Sequence, residues 1–206
     1  MKSQHCLLVI DVQQAFEAPT WGQRNNPLAE QNIQALLHHW RNVGGKIIHI
    51  QHLSDNPSSL FFKGSETAQF KPEAQPLSGE TVVSKKVNSA FIGTDLQQKL
   101  KEQHIDTLYI VGLTTPHCVS TTTRMAANLG FNCFLVEDAT ASFELTDHRG
   151  VRFTPQEIQD VTLATLHEEF AKIISTNDAL TQVLLETRSD SSAANQEAKR
   201  TMCIGI

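Results

Sequence analysis

The chain has 206 residues, 40% of them hydrophobic, and a formal net charge of -5. This length is enough to bury one sizeable core but short for two full domains. We therefore expect a single domain over residues 1–187 and a polar tail of small residues at 188–206. The acidic balance, with scattered basic residues, offers no patch for a phosphate backbone, which argues against a nucleic-acid partner.

Apolar stretches are short throughout the chain. None approaches the roughly 18 residues that span a bilayer, and MKSQHCLLVID lacks the cationic start and long apolar run of a signal peptide. We therefore expect a cytoplasmic protein with no membrane partner. The four cysteines form no CxxC pair and no zinc spacing, so they are expected to remain thiols: Cys6, Cys118, Cys133 and Cys203.

Six short aliphatic runs lack the alternation of half-exposed strands, and they predict strands covered on both faces. They are CLLVID at 6–11, KIIHI at 46–50, TVVS at 81–84, TLYIVG at 107–112, NCFLVED at 132–138 and AKIIS at 171–175. Segments with helical spacing lie at 28–43, 94–103, 118–129 and 155–170. The alternation predicts an α/β protein with three α/β/α layers and a six-stranded, mainly parallel sheet.

The segment 51–79 interrupts this alternation. It holds three of the seven prolines and three phenylalanines, and it is too long for a simple connection. We expect it to form a loop over a functional site.

Three kinds of reactive side chain are predicted at the ends of strands, where ligands bind to open parallel sheets. Asp11 follows the first strand, Lys85 and Lys86 follow the third, and Cys118 lies at the predicted start of a helix after the fourth. Singly they fit ordinary roles: a turn aspartate, a solvated lysine pair and a buried thiol. Together they predict a nucleophilic site in which a thiolate attacks, the ammonium and the helix start lower the thiol's pKa, and the carboxylate shuttles the proton.

Four stretches resemble the isochorismatase-like cysteine hydrolase superfamily, which includes nicotinamidases, N-carbamoylsarcosine amidases and ureidoacrylate amidohydrolases. They are LLVIDVQQAF at 7–16, KKVNSAFIGTDL at 85–96, GLTTPHCVSTTTRMAANLGF at 112–131 and VEDATASF at 136–143. The four stretches occur in the same order as in the superfamily, and the resemblance extends across most of residues 5–175. It implies the isochorismatase-like hydrolase fold and a tendency to form a homo-oligomer, either a dimer or a tetramer.

The same resemblance implies a catalytic triad of one aspartate, one lysine and one cysteine, here Asp11, Lys85 and Cys118. Lys86 is the alternative lysine. A non-proline cis peptide is also implied, at Leu113-Thr114. It would direct the backbone N–H groups of Thr114 and Cys118 towards the substrate oxygen as an oxyanion hole.

The chemistry implied by retention of Cys118 is hydrolysis of a C–N bond, in an amide or carbamoyl group of a small molecule, through a covalent intermediate. One alternative is vinyl-ether hydrolysis of an isochorismate-like substrate. As an anion that substrate would need a basic pocket, for which the candidates are Arg24, Arg124, Arg149 and Arg152. Another alternative is a non-enzymatic thiol redox sensor or small-molecule binder.

A metal or other cofactor is not expected. Nicotinamidases of this superfamily hold a metal through a DxH motif, whereas this chain has His49 and His52 without one. In an extended chain, a spacing of three residues places these two side chains on opposite faces. The two histidines are therefore poorly placed to bind the same metal ion.

The substrate-binding residues are predicted from their positions near the triad: Phe16, Trp21, Asn88, Thr115 and His117. Aromatic side chains would wall a small planar or apolar substrate, and the others would supply hydrogen bonds. Phe61, Phe62 and Phe143 are further candidates for the wall, and Gln14 is a further candidate for a hydrogen bond.

Overall fold

The computed structural model describes residues 4–182, and strands and helices alternate along them. The strands are β1 (His5–Ile10), β2 (Lys46–His52), β3 (Thr81–Lys85), β4 (Thr107–Leu113), β5 (Asn132–Ala141), β6 (Leu145–Thr146), β7 (Arg152–Phe153) and β8 (Lys172–Ile174). The α-helices are α1 (Ala29–Asn42), α2 (Leu96–Glu102), α3 (Ser120–Asn128) and α4 (Pro155–Leu166). Residues 1–3 and 183–206, which include the predicted tail at 188–206, lie outside the described residues.

The main sheet has six parallel strands in the order β3-β2-β1-β4-β5-β8. Each predicted aliphatic run coincides with one of these strands, so the predicted parallel sheet is confirmed. β6 and β7 pair antiparallel in a separate hairpin. It was not predicted, because strands of two residues leave no apolar run in the sequence.

Helices cover both faces of this sheet, which confirms the three layers. Along β1, Leu8 and Ile10 pack on the face covered by α2, α3 and α4, whereas Leu7 and Val9 pack on the face covered by α1. Each such aliphatic side chain contributes about 1.5–3 kcal/mol by leaving water. The apolar stripe of α1 comprises the residues that its spacing predicted: Ile33, Leu36, Leu37 and Trp40.

The order of the strands reverses beside β1. β2 lies on one side of β1 and β4 on the other, so the connections that leave β1 and β4 diverge at the carboxyl edge of the sheet. A crevice forms where connections diverge in this way, and it is the usual ligand site of such sheets.

The connection from β2 to β3 folds back over this edge. Gln14 N donates to the carbonyl of Gln69, and Lys71 N donates to the carbonyl of Val12, both at 2.9 Å. These bonds hold the loop against the segment that follows β1. The predicted loop over this edge is therefore confirmed, although residues 51 and 52 belong to β2.

Among residues 4–182, no helix combines the length and the apolarity needed to cross a membrane.

Gly112 permits the close approach of β1 and β4 beside the crevice. It has a φ of 125°, and a Cβ at this position would lie 2.0 Å from the carbonyl oxygen of Ile10. We expect Gly112→Ala to lower the free energy of unfolding by at least about 3 kcal/mol, measured by urea denaturation.

Gly130 provides the matched control for this substitution. It also has a positive φ, 91°, but no atom lies within 4 Å of the position of its missing Cβ. Gly130→Ala is expected to cost only about 1 kcal/mol, from backbone conformation alone. Equal losses in the two variants would contradict the role assigned to the close approach.

Candidate active site

Asp11 directly follows β1, and its side chain is buried in the crevice. The chain turns sharply at this residue: Asp11 has a φ of 51°, its N–H donates to the carbonyl of Ile50, and its carbonyl accepts from the N–H of Gln13. Aspartate tolerates this left-handed conformation better than most residues do. The turn ends the strand and leaves the carboxylate at the sheet edge.

Strand alternation decides which of the two adjacent lysines enters the crevice. In β3, Val83 and Lys85 are buried, whereas Ser84 is exposed. Lys86, beyond the strand, has a side chain that is 71% exposed and pairs with Asp55. The lysine in the crevice is therefore Lys85, and the alternative Lys86 is wrong.

The Lys85 ammonium lies at the centre of the site and is fully buried. Its Nζ is 2.6 Å from Asp11 Oδ2, 3.2 Å from Cys118 Sγ and 3.0 Å from His52 Nδ1. A buried ammonium is stable only with partners of this kind, since its desolvation must be offset. The three predicted catalytic residues are thus brought together.

Cys118 lies in a π-helical turn, Thr115–Val119, which follows β4 and leads into α3. The peptide bond between Leu113 and Thr114 is cis, as predicted. The prediction that a helix begins at Cys118 is wrong, because helical turns already begin at Thr115. Pro116 explains the difference: it lacks an N–H and has a fixed φ, which suits the first turn of a helix.

The Cys118 thiol keeps its proton in this environment. Burial and, to a smaller extent, the nearby Asp11 carboxylate raise its pKa to about 12 against the opposing effect of Lys85. The Lys85 ammonium lowers the pKa of the thiol, as expected, but not enough to offset burial. Burial has the larger effect, because it disfavours the charged form of a thiol.

The Asp11 carboxyl is poised to take up a proton. Burial raises its pKa above the usual value of 3.8, although the Lys85 ammonium acts in the opposite direction. Its Oδ1 atom has no hydrogen-bond partner among residues 4–182. A carboxylate with a raised pKa and an unpaired oxygen has the properties of a general base.

His52, at the end of β2, is a member of the site that was not predicted in this role. Its Nδ1 lies 3.0 Å from Lys85 Nζ and 3.9 Å from Cys118 Sγ. Burial and the neighbouring ammonium lower its pKa to about 4, so the ring is neutral at physiological pH and Nδ1 can accept a hydrogen bond from Lys85. The sequence feature that could have indicated this role is the position of His52 at the carboxyl end of β2, which lies beside β1.

Gln13 fixes the backbone of His52. Its side-chain oxygen accepts from the N–H of His52, and its side-chain amide donates to the carbonyls of His52 and Ala68. This buried amide therefore joins β2 to the loop above the crevice.

Asp11, His52 and Cys118 also form a set of potential metal donors, since one donor atom from each lies within 4.8 Å of the others. The Lys85 ammonium contacts all three residues. His49 faces elsewhere, where its Nε2 lies 2.9 Å from a carboxylate oxygen of Glu80. The two histidines thus have different partners, as their spacing predicted.

The predicted polar binding residues lie around Cys118. Asn88 is exposed, and its Oδ1 lies 3.9 Å from Cys118 Sγ. Thr115 is fully buried, and its hydroxyl has no partner among the residues described. His117 is exposed, with Nδ1 3.0 Å from the hydroxyl of Thr114.

Four of the aromatic residues predicted to wall the substrate form a group that we term the aromatic cluster: Phe16, Trp21, Phe61 and Phe143. Neighbouring rings within it have centroids 5.1–6.1 Å apart. The ring of Phe61 lies 5.0 Å from that of His52, which connects the cluster to the catalytic groups.

The remaining described cysteines are buried in strands away from this arrangement. Cys6 and Cys133 lie in β1 and β5, and burial raises the pKa of each thiol to about 12. The sulfur of Cys118 accepts a hydrogen bond from Lys85, whereas those of Cys6 and Cys133 contact backbone carbonyls.

Sequence comparison assigns this architecture to a known family. The model of the isochorismatase domain matches residues 5–178. The chain belongs to the isochorismatase family. It is 47% identical over 180 residues to the isochorismatase family protein YrdC of Bacillus subtilis, covering 87% of this chain and 96% of that protein.

Solved structures of isochorismatase-family proteins share the fold. A crystal structure from Chromobacterium violaceum superposes with a TM-score of 0.85 at 42% identity, covering 87% of this chain and 93% of that one. The chain is a hydrolase of this family, and it has the family's six-stranded α/β architecture.

Relatives with a named activity are more distant. The secreted isochorismatase effector Isc1 of Verticillium dahliae is 29% identical over 172 residues, covering 84% of this chain and 88% of that protein. The maleamate amidohydrolase of Pseudomonas putida is 25% identical over 121 residues, covering 59% and 52%. The ureidoacrylate amidohydrolase RutB of Agrobacterium fabrum is 30% identical over 119 residues, covering 58% and 48%.

Proposed function

We propose that the chain is a cysteine hydrolase that cleaves a C–N bond, in an amide or carbamoyl group, of a small molecule. The observation that carries this proposal is the position of the Lys85 ammonium, 2.6 Å from Asp11 Oδ2 and 3.2 Å from Cys118 Sγ. As a proton moves from sulfur to carboxylate, the negative charge moves from one group to the other. A single fixed cation beside both groups stabilises the charge in either place.

Acylation begins with the protonated thiol. The Asp11 carboxylate removes the proton from Cys118 while Sγ attacks the carbonyl carbon of the substrate, so that an S–C bond forms and the carbonyl oxygen becomes an oxyanion. The backbone N–H groups of Thr114 and Cys118 bind this oxyanion. The adduct collapses, the C–N bond breaks, and the proton held by Asp11 passes to the leaving nitrogen, which departs as an amine or ammonia.

Deacylation returns the enzyme to its starting state. Asp11 takes a proton from a water molecule, whose oxygen attacks the thioester carbon. The C–S bond then breaks, the acid product leaves, and the proton returns to the Cys118 sulfur. Throughout, His52 holds the Lys85 ammonium by accepting a hydrogen bond and acts as a positioning residue.

We assign the substrate contacts to the residues that were predicted to bind the substrate. Asn88, Thr115 and His117 supply hydrogen bonds, and the unpaired buried hydroxyl of Thr115 supports its part in this role. Phe16 and Trp21 contribute to the wall. The two relatives named as amidohydrolases also support cleavage of C–N bonds.

The vinyl-ether alternative has less support, because the four arginines suggested for an anionic substrate have other contacts. Arg24 pairs with Glu30, Arg149 with Asp147, and Arg152 with Glu144. Arg124 donates to Thr165 and lies 4.5 Å from the ring of Phe170.

A substrate screen with detection of the intermediate tests the proposal. Purified protein is incubated with small amides, carbamoyl compounds and isochorismate, and rapidly acid-quenched samples are analysed by intact-mass and peptide mass spectrometry. We expect turnover of an amide or carbamoyl compound, with a mass increase equal to its acyl group on the peptide that contains Cys118. Cleavage of isochorismate alone, without an adduct, would instead identify the vinyl-ether activity.

A further inference from the structure

The aromatic cluster lies over the same edge of the sheet as the catalytic groups. Phe16 and Trp21 follow β1, Phe61 follows β2, and Phe143 follows β5, so all four rings come from segments beyond the carboxyl ends of parallel strands. Trp21 and Phe61 are only partly buried, whereas Phe16 and Phe143 are buried. The cluster therefore presents an accessible apolar surface.

This surface adjoins the nucleophile. The ring of Phe61 lies 5.0 Å from that of His52, and His52 Nδ1 lies 3.9 Å from Cys118 Sγ. An acyl group attached to Cys118 and directed towards Phe61 would exchange water for contact with aromatic rings. Such contact favours an apolar or planar acyl group.

Among residues 4–182, one cation lies against this cluster, and a carboxylate already neutralises it. The guanidinium of Arg24 lies 5.9 Å from the centroid of Phe143. Its Nη1 and Nη2 donate to the two oxygens of Glu30 at 2.7 and 2.9 Å, a bidentate pair that is largely buried. Although burial acts in the opposite direction, bonds from Arg24 and Lys71 lower the pKa of Glu30 to about 2, so Glu30 stays ionised.

The other cations near this edge are also paired with carboxylates. Lys71 contacts Glu30 and Glu17. Five further cations among residues 4–182 have a carboxylate partner: Lys85 with Asp11, Arg149 with Asp147, Arg152 with Glu144, and the exposed Lys63 and Lys86, which share Asp55. Beside the aromatic cluster, a carboxylate on the substrate would therefore lose its water without gaining an unpaired cation, which is strongly unfavourable.

We infer that this site takes substrates whose acyl part is uncharged and apolar, and that the Arg24–Glu30 pair sets this preference by withholding the Arg24 charge from the substrate. The inference rests on the proposed function, because it assumes that an acyl group is attached to Cys118. Glu30 and Arg24 are specificity-determining residues in this scheme, and neither takes part in the reaction itself.

Acylation by a pair of activated esters tests the inference even before the physiological amide is identified. 4-Nitrophenyl hexanoate and the 4-nitrophenyl monoester of adipic acid differ in that a carboxylate replaces the terminal methyl group. In each reaction the Cys118 S–C bond forms, the ester C–O bond breaks, and nitrophenol leaves with the thiol proton. Initial rates of adduct formation at Cys118 are measured by intact mass and corrected for the background of Cys118→Ala.

We expect the hexanoate to acylate the wild-type protein at least about 30-fold faster than the adipate. Glu30→Gln frees the charge of Arg24 and is expected to reduce this ratio at least about fivefold. Glu80→Gln is the matched control, because Glu80 binds Arg41 in the same bidentate way, at 2.7 and 2.9 Å, and contacts His49 rather than the aromatic cluster. The ratio of this control should equal that of the wild type.

The possible outcomes separate the inference from the proposed function. Adduct formation at equal rates, or faster with the adipate, overturns the inference and leaves the cysteine mechanism intact. Absence of an adduct with both esters overturns the proposed function, and the inference with it. If Glu30→Gln fails to fold, the ratio measured on the wild-type protein still decides the preference for an uncharged acyl group.

Discussion

Cys118→Ala is expected to lower kcat/KM for the preferred amide by about 10⁴-fold or more. The variant retains Asp11, Lys85 and His52 but has no atom that can form the S–C bond, so only direct attack by water remains. Steady-state kinetics on the substrate found by the screen measures the loss, and the same sample should show no acyl adduct by mass spectrometry.

Cys133→Ala is the control for loss of a thiol. Cys133 lies in β5 and is buried, and its thiol has a pKa raised to about 12 by burial, but its sulfur contacts a backbone carbonyl rather than a lysine. We expect its kcat/KM to stay within about twofold of the wild-type value, because distant sites act independently. Full turnover in Cys118→Ala would exclude the covalent mechanism.

Asp11→Asn is expected to lower kcat/KM by about 10³-fold, because an amide side chain cannot accept the thiol proton. The pH dependence should change with it. Burial raises the pKa of Asp11 above 3.8, so the wild-type enzyme should lose activity as the pH falls through that raised value and the carboxylate becomes protonated. The variant should lack this loss of activity at low pH, which we call the acid limb of the pH profile. The measurement is kcat/KM between pH 4 and pH 8.

Two controls make the result for Asp11 interpretable. Asp55→Asn removes an exposed carboxylate that binds Lys63 and Lys86, and it should keep both the activity and the acid limb. Because Asp11→Asn leaves the buried Lys85 ammonium without its carboxylate, stability is expected to fall by about 3–5 kcal/mol, and unfolding curves must confirm that the variant is folded during the assay. An unchanged acid limb in a folded Asp11→Asn variant would assign that limb to another group.

Much of the fold could be predicted from sequence, because buried parallel strands leave continuous aliphatic runs. The runs around Leu8, Ile48 and Ile110 each correspond to a strand, and the helices between them show an apolar stripe. Side chains that follow strand ends, such as Asp11, could be placed at one edge for the same reason. The two-residue strands β6 and β7 carry no such pattern.

Some details of the site could not be predicted from sequence, because they depend on contacts between residues that are distant in the chain. The helical turns begin at Thr115 rather than at the predicted Cys118, and the signal for this earlier start is Pro116, because proline suits the first turn of a helix. The raised pKa of Cys118 depends on how completely neighbouring groups exclude water, which sequence alone does not reveal. The roles of His52 and Gln13 depend on the path of the loop between β2 and β3.

The register between β2 and β3, which pairs His52 with Lys85, has a consequence for folding as well as for catalysis. A slip of one residue would exchange the two faces of β3, so that Ser84 would replace Lys85 beside Asp11 and the ammonium would point to solvent. Such a molecule would retain most of its secondary structure but would lack the cation on which catalysis depends. Specific activity is therefore a more sensitive measure of correct strand alignment in this protein than its circular dichroism spectrum.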